Sequence, residues 1–191
     1  MRIGLDIDGV VIDSETTFRV YEEIYACNEI NKKIINREEG KYQQRYDWTP
    51  EEKDNFNKKY LLKGASESYL MAGFLPVFKL LKEQGHEFIA ITARGGFIPE
   101  MKDDALRVLK ENNIILDGYH FHVLDKLEIC KQENIDIMID DDYRIIESIA
   151  NEGIKTLYFR DTNLKKLEES EYIHEVNNWG DVYRYFHELD K

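Results

Sequence analysis

Five short apolar runs are spaced along this chain so that a helix fits between most of them, and that spacing limits the fold more than any other feature of the sequence. The first run, Ile3 to Ile7, overlaps acids at Asp6 and Asp8 and stops at Gly9. The others are Glu87 to Thr92, Tyr119 to Val123, Asp136 to Ile139 and Lys155 to Phe159. Short, mostly apolar runs of this length read as strands, the first of them buried. Helical patterns lie between the later ones. Leu75 to Gln84 is followed by Gly85 as the C′ residue, and Glu100 to Asn112 turns Ala105, Val108 and Leu109 inward. Leu124 to Glu133 is next, then Tyr143 to Glu152 stopped by Gly153, and Val182 to Leu189 ends the series. Strands alternating with helices predict an α/β fold, a doubly wound parallel sheet covered by helices on both faces.

The alternation is interrupted once. From Ser14 to Ala72 no strand pattern occurs, and aromatic and charged residues recur at helical spacing. Phe18, Tyr21, Ile24 and Tyr25 are predicted to share one face. Thr49-Pro50-Glu51-Glu52 is a helix start, with Thr49 as N-cap, Pro50 at N1 and Glu52 closing a capping box. The expected organisation is a core of residues 1–13 and 73–191 with a small helical cap inserted at 14–72.

Composition narrows the function. The 191 residues carry a formal net charge of −12, the opposite of the basic footprint that a nucleic acid polymer requires. No window approaches the roughly 18 apolar residues of a spanning helix, and the N-terminal run lacks the apolar core of a signal peptide. A cytoplasmic protein without a membrane partner is expected. Cys27 and Cys130 stand far apart in no metal or redox spacing and are expected to be buried or half-buried thiols.

In a doubly wound sheet, ligands bind beyond the carboxyl ends of the strands. Those ends offer Asp6 and Asp8, Thr92, Lys126 in the loop and helix after the third run, and Asp140, Asp141 and Asp142. So many carboxylates at one edge repel unless a cation lies among them, and an all-oxygen site beside phosphate suits Mg²⁺. With a phosphomonoester at this edge every group has a task. Asp6 attacks phosphorus and Asp8 exchanges the proton of the leaving oxygen and of water. Thr92 donates to a phosphoryl oxygen, Lys126 stabilises the crowded anion, and Asp141 and Asp140 hold the metal together with the first-strand acids Asp6 and Asp8.

Asp6-Ile7-Asp8-Gly9-Val10, Ile91-Thr92-Ala93-Arg94, Lys126 and Ile139-Asp140-Asp141 resemble, in order, the four motifs of the haloacid dehalogenase superfamily. Within it, Val10 and Asp13 resemble the 5′(3′)-deoxyribonucleotidase branch and its bacterial nucleotidase-like relatives. The resemblance implies a helical cap between the first two motifs, a phosphatase activity, and a nucleoside monophosphate as substrate. By register it also implies that Asp141 is the direct metal ligand with Asp140 in support, while Asp142 caps the next helix.

Other readings stay open at this level. The ester can belong to another metabolite, such as a sugar phosphate or phosphoglycolate. The phosphoryl group can pass to an acceptor other than water, and the chain can be a silent binding module of the same fold. Lys131 rivals Lys126. Arg94 reads as a structural ion pair as readily as a substrate contact. Phe18, Tyr21, Tyr25, Tyr42, Tyr46 and Trp48 can stack on a base, although each fits better as insertion core. His120 and His122 alternate as in a strand, without a third ligand that would make them a metal pair.

Overall fold

The computed structural model describes residues 1–40, 42–160 and 165–189, with the side chains of Tyr42 and Gln43 outside that description. Its centre is a six-stranded, all-parallel sheet formed by β1 (Arg2–Leu5), β2 (Glu87–Ile91), β3 (Gly118–His120), β4 (Ile137–Asp140), β5 (Lys155–Phe159) and β6 (Ile173–Val176). The strand order is β3-β2-β1-β4-β5-β6. The chain therefore runs outward from β1 in one direction as far as β3, then returns to β1 and runs outward the other way. The reversal lies between β1 and β4, where Leu5 stands opposite Ile139.

Strand parity decides which face each side chain fills. Ile3, Leu5, Phe88, Ala90, Ile137 and Ile139 point to one face. There they meet α5 (Phe74–Glu83), α6 (Glu100–Glu111) and α9 (Trp179–Leu189). Ile89, Ile91 and Met138 point to the other, towards α7 (Lys126–Gln132) and α8 (Tyr143–Ala150). Both parities are apolar because both faces are covered, which is why the strands read as runs rather than as alternations.

Between β1 and α5 lie α1 (Ser14–Asn28), α2 (Tyr42–Arg45), α3 (Pro50–Phe56) and α4 (Leu62–Glu67), the last two joined by a π turn at Asn57–Leu61. The capping box of α3 is formed: Glu52 N–H donates to Thr49 Oγ1 at 3.2 Å, and Thr49 N–H donates to Glu52 Oε2 at 2.6 Å. The insertion has its own aromatic core of Tyr21, Tyr25, Tyr46, Trp48, Phe56 and Tyr60. Tyr46 stacks on Trp48 at 4.6 Å and Tyr25 meets Trp48 edge-on at 5.1 Å. Such pairs add about 0.5–1.5 kcal/mol each beyond area burial. Ile24 does not share the buried face of Tyr21 and Tyr25. It is exposed, because it lies about 100° round the helix from Tyr25 on the side away from Phe18.

Several boundaries differ from the sequence reading, each for a local reason. The third strand spans Gly118–His120 and not Tyr119–Val123. His122 takes the left-handed conformation at φ 61°, and the chain turns there to bond Val123 N–H to Thr92 O at 3.0 Å. The next helix begins at Lys126 and not Leu124, because Asp125 caps it by accepting from Glu128 N–H at 3.1 Å. The last helix starts three residues early, at Trp179. β6 was not foreseen, since its residues Ile173-His174-Glu175-Val176 carry two polar side chains at the sheet edge. Cys130 is buried as expected, but Cys27 is exposed. Among the described residues no helix is long and apolar enough to cross a membrane.

Trp179 ties the far end of the chain to the loop after β1. It is fully buried, packs on Phe74 at 4.8 Å and donates its indole N–H to Val10 O at 2.9 Å. Trp179→Ala should destabilise the protein by about 3–5 kcal/mol through lost packing. Trp179→Phe should keep most of the packing yet cost about 1–3 kcal/mol by orphaning the Val10 carbonyl. Urea denaturation midpoints check both, and a loss under 1 kcal/mol for the alanine variant would contradict this role.

Candidate active site

Asp6 directly follows β1 and Asp140 ends β4, so the sheet brings them side by side at its topological switch point. Asp6 N–H continues the ladder by donating to Ile139 O at 3.0 Å. Lys126, the first residue of α7, reaches across the strand ends between them. Its Nζ lies 2.8 Å from Asp6 Oδ2 and 2.7 Å from Asp140 Oδ2, and all three residues are buried. Burial alone would lower the lysine pKa, but Asp140 and Asp6 outweigh it and hold the ammonium above its ordinary range. Burial pushes the Asp140 carboxyl up to about 6, with Lys126 pulling it down and Asp6 pushing it further up.

A third acid joins them. Asp6, Asp140 and Asp141 each offer a carboxylate oxygen, all within 4.8 Å of one another. Asp141 is packed against the turn after Asp8. A Cβ at Gly9 would lie 2.6 Å from Asp141 Oδ2, and Gly9 has φ +76°, so glycine is required there on two counts. Three buried carboxylates therefore gather at the strand ends, two of them sharing the ammonium of Lys126. The all-oxygen donors and the excess negative charge fit a hard divalent cation. Asp142 is used differently: it caps α8, accepting at Oδ1 from Arg144 N–H at 3.0 Å.

Asp8 stands outside the group of three acids. Its Oδ1 accepts from Ser14 Oγ–H at 2.6 Å and from the Arg94 guanidinium at Nη1. Thr92 follows β2 and is buried, its Oγ1 accepting from Arg94 N–H at 3.2 Å. Arg94 is fixed from behind as its Nε–H donates to Met101 O at 2.7 Å. The ion pair read for Arg94 in the sequence therefore exists, and its partner is Asp8. Asp13 has a structural use as N-cap of α1, accepting from Thr16 N–H at 3.2 Å. Lys131 pairs with Glu152 at 2.8 Å on the surface, which leaves Lys126 as the lysine at the strand ends. His120 bonds to Glu133 at 2.8 Å, and neither His120 nor His122 joins a group of metal-ligating side chains among the described residues.

These groups open onto a cavity of about 560 Å³. Asp6, Asp8, Thr92, Arg94 and Lys126 line its core side, and the insertion supplies Glu15, Phe18, Glu22, Gln44 and Leu61. Of the insertion aromatics named from the sequence, Phe18 reaches the cavity, whereas Tyr21, Tyr25, Tyr46 and Trp48 fill the insertion core. The side chain of Tyr42 lies outside the described residues. Glu15 and Glu22 were missed as site residues. Their spacing of three and four from Phe18 puts all three on one face of α1, and that was the available signal. Burial pushes the Glu22 carboxyl up to about 8, against the pull of Arg45, whose Nη1 lies 2.6 Å away.

No family model and no curated protein matches this chain. Solved structures do. A haloacid dehalogenase-like hydrolase from Streptococcus pneumoniae is 15% identical with a TM-score of 0.67, over 97% of each chain. A predicted phosphatase from Clostridium acetobutylicum is 16% identical with a TM-score of 0.68, over 98% of each chain. A predicted phosphoglycolate phosphatase from Haemophilus somnus is 12% identical with a TM-score of 0.64, over 96% of each. At these identities the likeness establishes the fold: this chain has the architecture of haloacid dehalogenase-like hydrolases along nearly its whole length.

Proposed function

We propose that this chain is a Mg²⁺-dependent phosphomonoester hydrolase that works through an aspartyl-phosphate on Asp6, and that its substrate is a nucleoside 5′- or 3′-monophosphate. The observation that carries the reading is the Lys126 bridge between Asp6 and Asp140, with Asp141 alongside, at the switch point of a parallel sheet.

Asp6 is held for attack: Ile7 N–H donates to Oδ1 at 2.7 Å and Lys126 Nζ lies 2.8 Å from Oδ2. A carboxylate oxygen of Asp6 bonds to phosphorus as the ester P–O bond breaks, and Asp8 protonates the departing oxygen. Ser14 and Arg94 occupy Oδ1 of Asp8, which leaves Oδ2 for that proton. In the second half Asp8 takes a proton from water, the water oxygen attacks phosphorus, and inorganic phosphate leaves Asp6. Thr92 and Lys126 orient the phosphoryl oxygens and balance their charge. Mg²⁺ bound by Asp6, Asp140 and Asp141 would screen the carboxylate from the phosphoryl group. A silent binding module has no use for this set of groups.

Support for a nucleotide comes from the motif resemblance and from the cavity. Its volume of about 560 Å³ lies within the ~300–1,000 Å³ of pockets that enclose drug-sized ligands. The phosphoglycolate named for the Haemophilus somnus protein has a two-carbon leaving group, which would leave most of that space unfilled.

Asp6→Asn should lower kcat at least about 1,000-fold with the fold retained, since losing a nucleophile removes most of the catalysis. Phosphate release and far-UV circular dichroism check this, and appreciable residual turnover would exclude Asp6 as nucleophile. Asp8→Asn should slow turnover by about 100- to 10,000-fold and let phospho-enzyme accumulate from an activated aryl phosphate. Intact-mass spectrometry reads the accumulation. EDTA should silence phosphate release and Mg²⁺ restore it, and indifference to the chelator would defeat the metal assignment.

A further inference from the structure

Two buried polar atoms on the cavity lining have no hydrogen-bond partner among the described residues: a donor, Arg94 Nη2, and an acceptor, Gln44 Oε1. The Arg94 side chain is 0% exposed, and its other two nitrogens are committed to Asp8 and to Met101 O. A buried guanidinium held in place with its Nη2 amino group unspent is costly to desolvate, and an unsatisfied buried group at a cavity wall calls for a partner such as a ligand, an ion or water. One of these atoms belongs to the core and the other to the insertion, so a molecule that contacts both lies across their junction.

The charges of the lining limit what that molecule can be. Lys126, Arg94 and Arg144 line the cavity, and each already pairs with an aspartate: Asp6 and Asp140, Asp8, and Asp142. Among the described residues the insertion contributes two carboxyl groups, an amide, an aromatic ring and a leucine to the lining, and no lysine or arginine. A second anionic group on the substrate would need a cation of its own there. Hydroxyl and amide groups would instead find acceptors in Glu15, Glu22 and Gln44 and a donor in Arg94.

We infer that the cavity selects phosphate esters whose leaving group is uncharged and carries both hydrogen-bond donors and acceptors, and that Arg94 and Gln44 read that leaving group. The inference rests on the phosphomonoesterase reading and narrows it: sugar and nucleoside monophosphates fit, whereas phosphoglycolate and bisphosphates do not.

Calorimetric titration of Asp6→Asn with Mg²⁺ tests the selection without turnover, and the unaltered protein with EDTA serves if that variant does not fold. A nucleoside 5′-monophosphate should bind at least about tenfold more tightly than phosphoglycolate or the matching 3′,5′-bisphosphate, a difference of ~1.4 kcal/mol. Gln44→Ala, at a half-buried site, and Arg94→Lys, which keeps the charge facing Asp8, should each weaken the nucleotide about tenfold and shift phosphoglycolate less. Equal or tighter binding of phosphoglycolate or the bisphosphate would overturn the inference, as would nucleotide affinity unmoved in both variants. Mg²⁺-dependent hydrolysis of p-nitrophenyl phosphate separates the two levels. Its absence would count against the phosphomonoesterase reading, while the order of ligand affinities decides the inference.

Discussion

Lys126 sits in the protein interior with one ammonium shared between two carboxylates, Asp6 and Asp140, and the surrounding architecture is arranged around that contact. Removing either sign would leave a buried charge uncompensated, at a cost of several kcal/mol. The contact requires three elements to converge: the end of β1, the end of β4 and the first turn of α7. A parallel sheet whose strand order switches direction between β1 and β4 supplies that convergence. Even so, the lysine does not neutralise the site. Asp141 adds a third acid, and burial, with a further push from Asp6, raises the Asp140 pKa. Three carboxylate oxygens gathered at one sheet edge suit a divalent cation, which is the physical basis of the proposed metal.

The second cation of the site, Arg94, works at the neighbouring strand end. It leaves β2 two residues after Thr92, bonds the backbone of α6, and turns its remaining face to Asp8. Asp8 therefore belongs to a different electrostatic unit from Asp6, although only one residue separates them. Asp6 follows β1 directly, whereas Asp8 lies in the turn beyond it, where Val11 and Ile12 N–H bond back to Ile7 O, so the two carboxylates separate into one held by Lys126 and another held by Arg94 and Ser14.

The insertion closes the site from above with a wall of opposite character. Its aromatic residues pack on one another and hold the insertion together, so they are largely withdrawn from the cavity. What faces the cavity from α1 is a row of Glu15, Phe18 and Glu22. Polar groups on a helix face usually mark solvent, and here they line a cavity instead. The buried pair of Glu22 and Arg45 couples that wall to the short helix that carries Gln44. Leaving-group recognition, as proposed, follows from this composition.

Much of this protein was legible in the amino-acid order. The parallel sheet follows from apolar runs with both parities filled. The Thr49 capping box and the Asp142 cap follow from local hydrogen-bonding rules, and they formed as the residues require. Asp6, Asp8, Thr92, Lys126, Asp140 and Asp141 are identifiable because strand ends in such a sheet share one edge. Local chemistry could not settle whatever depends on a distant partner. β6 is an edge strand whose pairing with β5 compensates for its polar residues. His122 stops β3 early because the chain must return to Thr92. The choice between Lys126 and Lys131, the partner of Arg94, and the turning of Glu15 and Glu22 into a cavity were decided by tertiary packing, since burial and pairing depend on which surfaces meet, and sequence periodicity names a face without saying what will cover it.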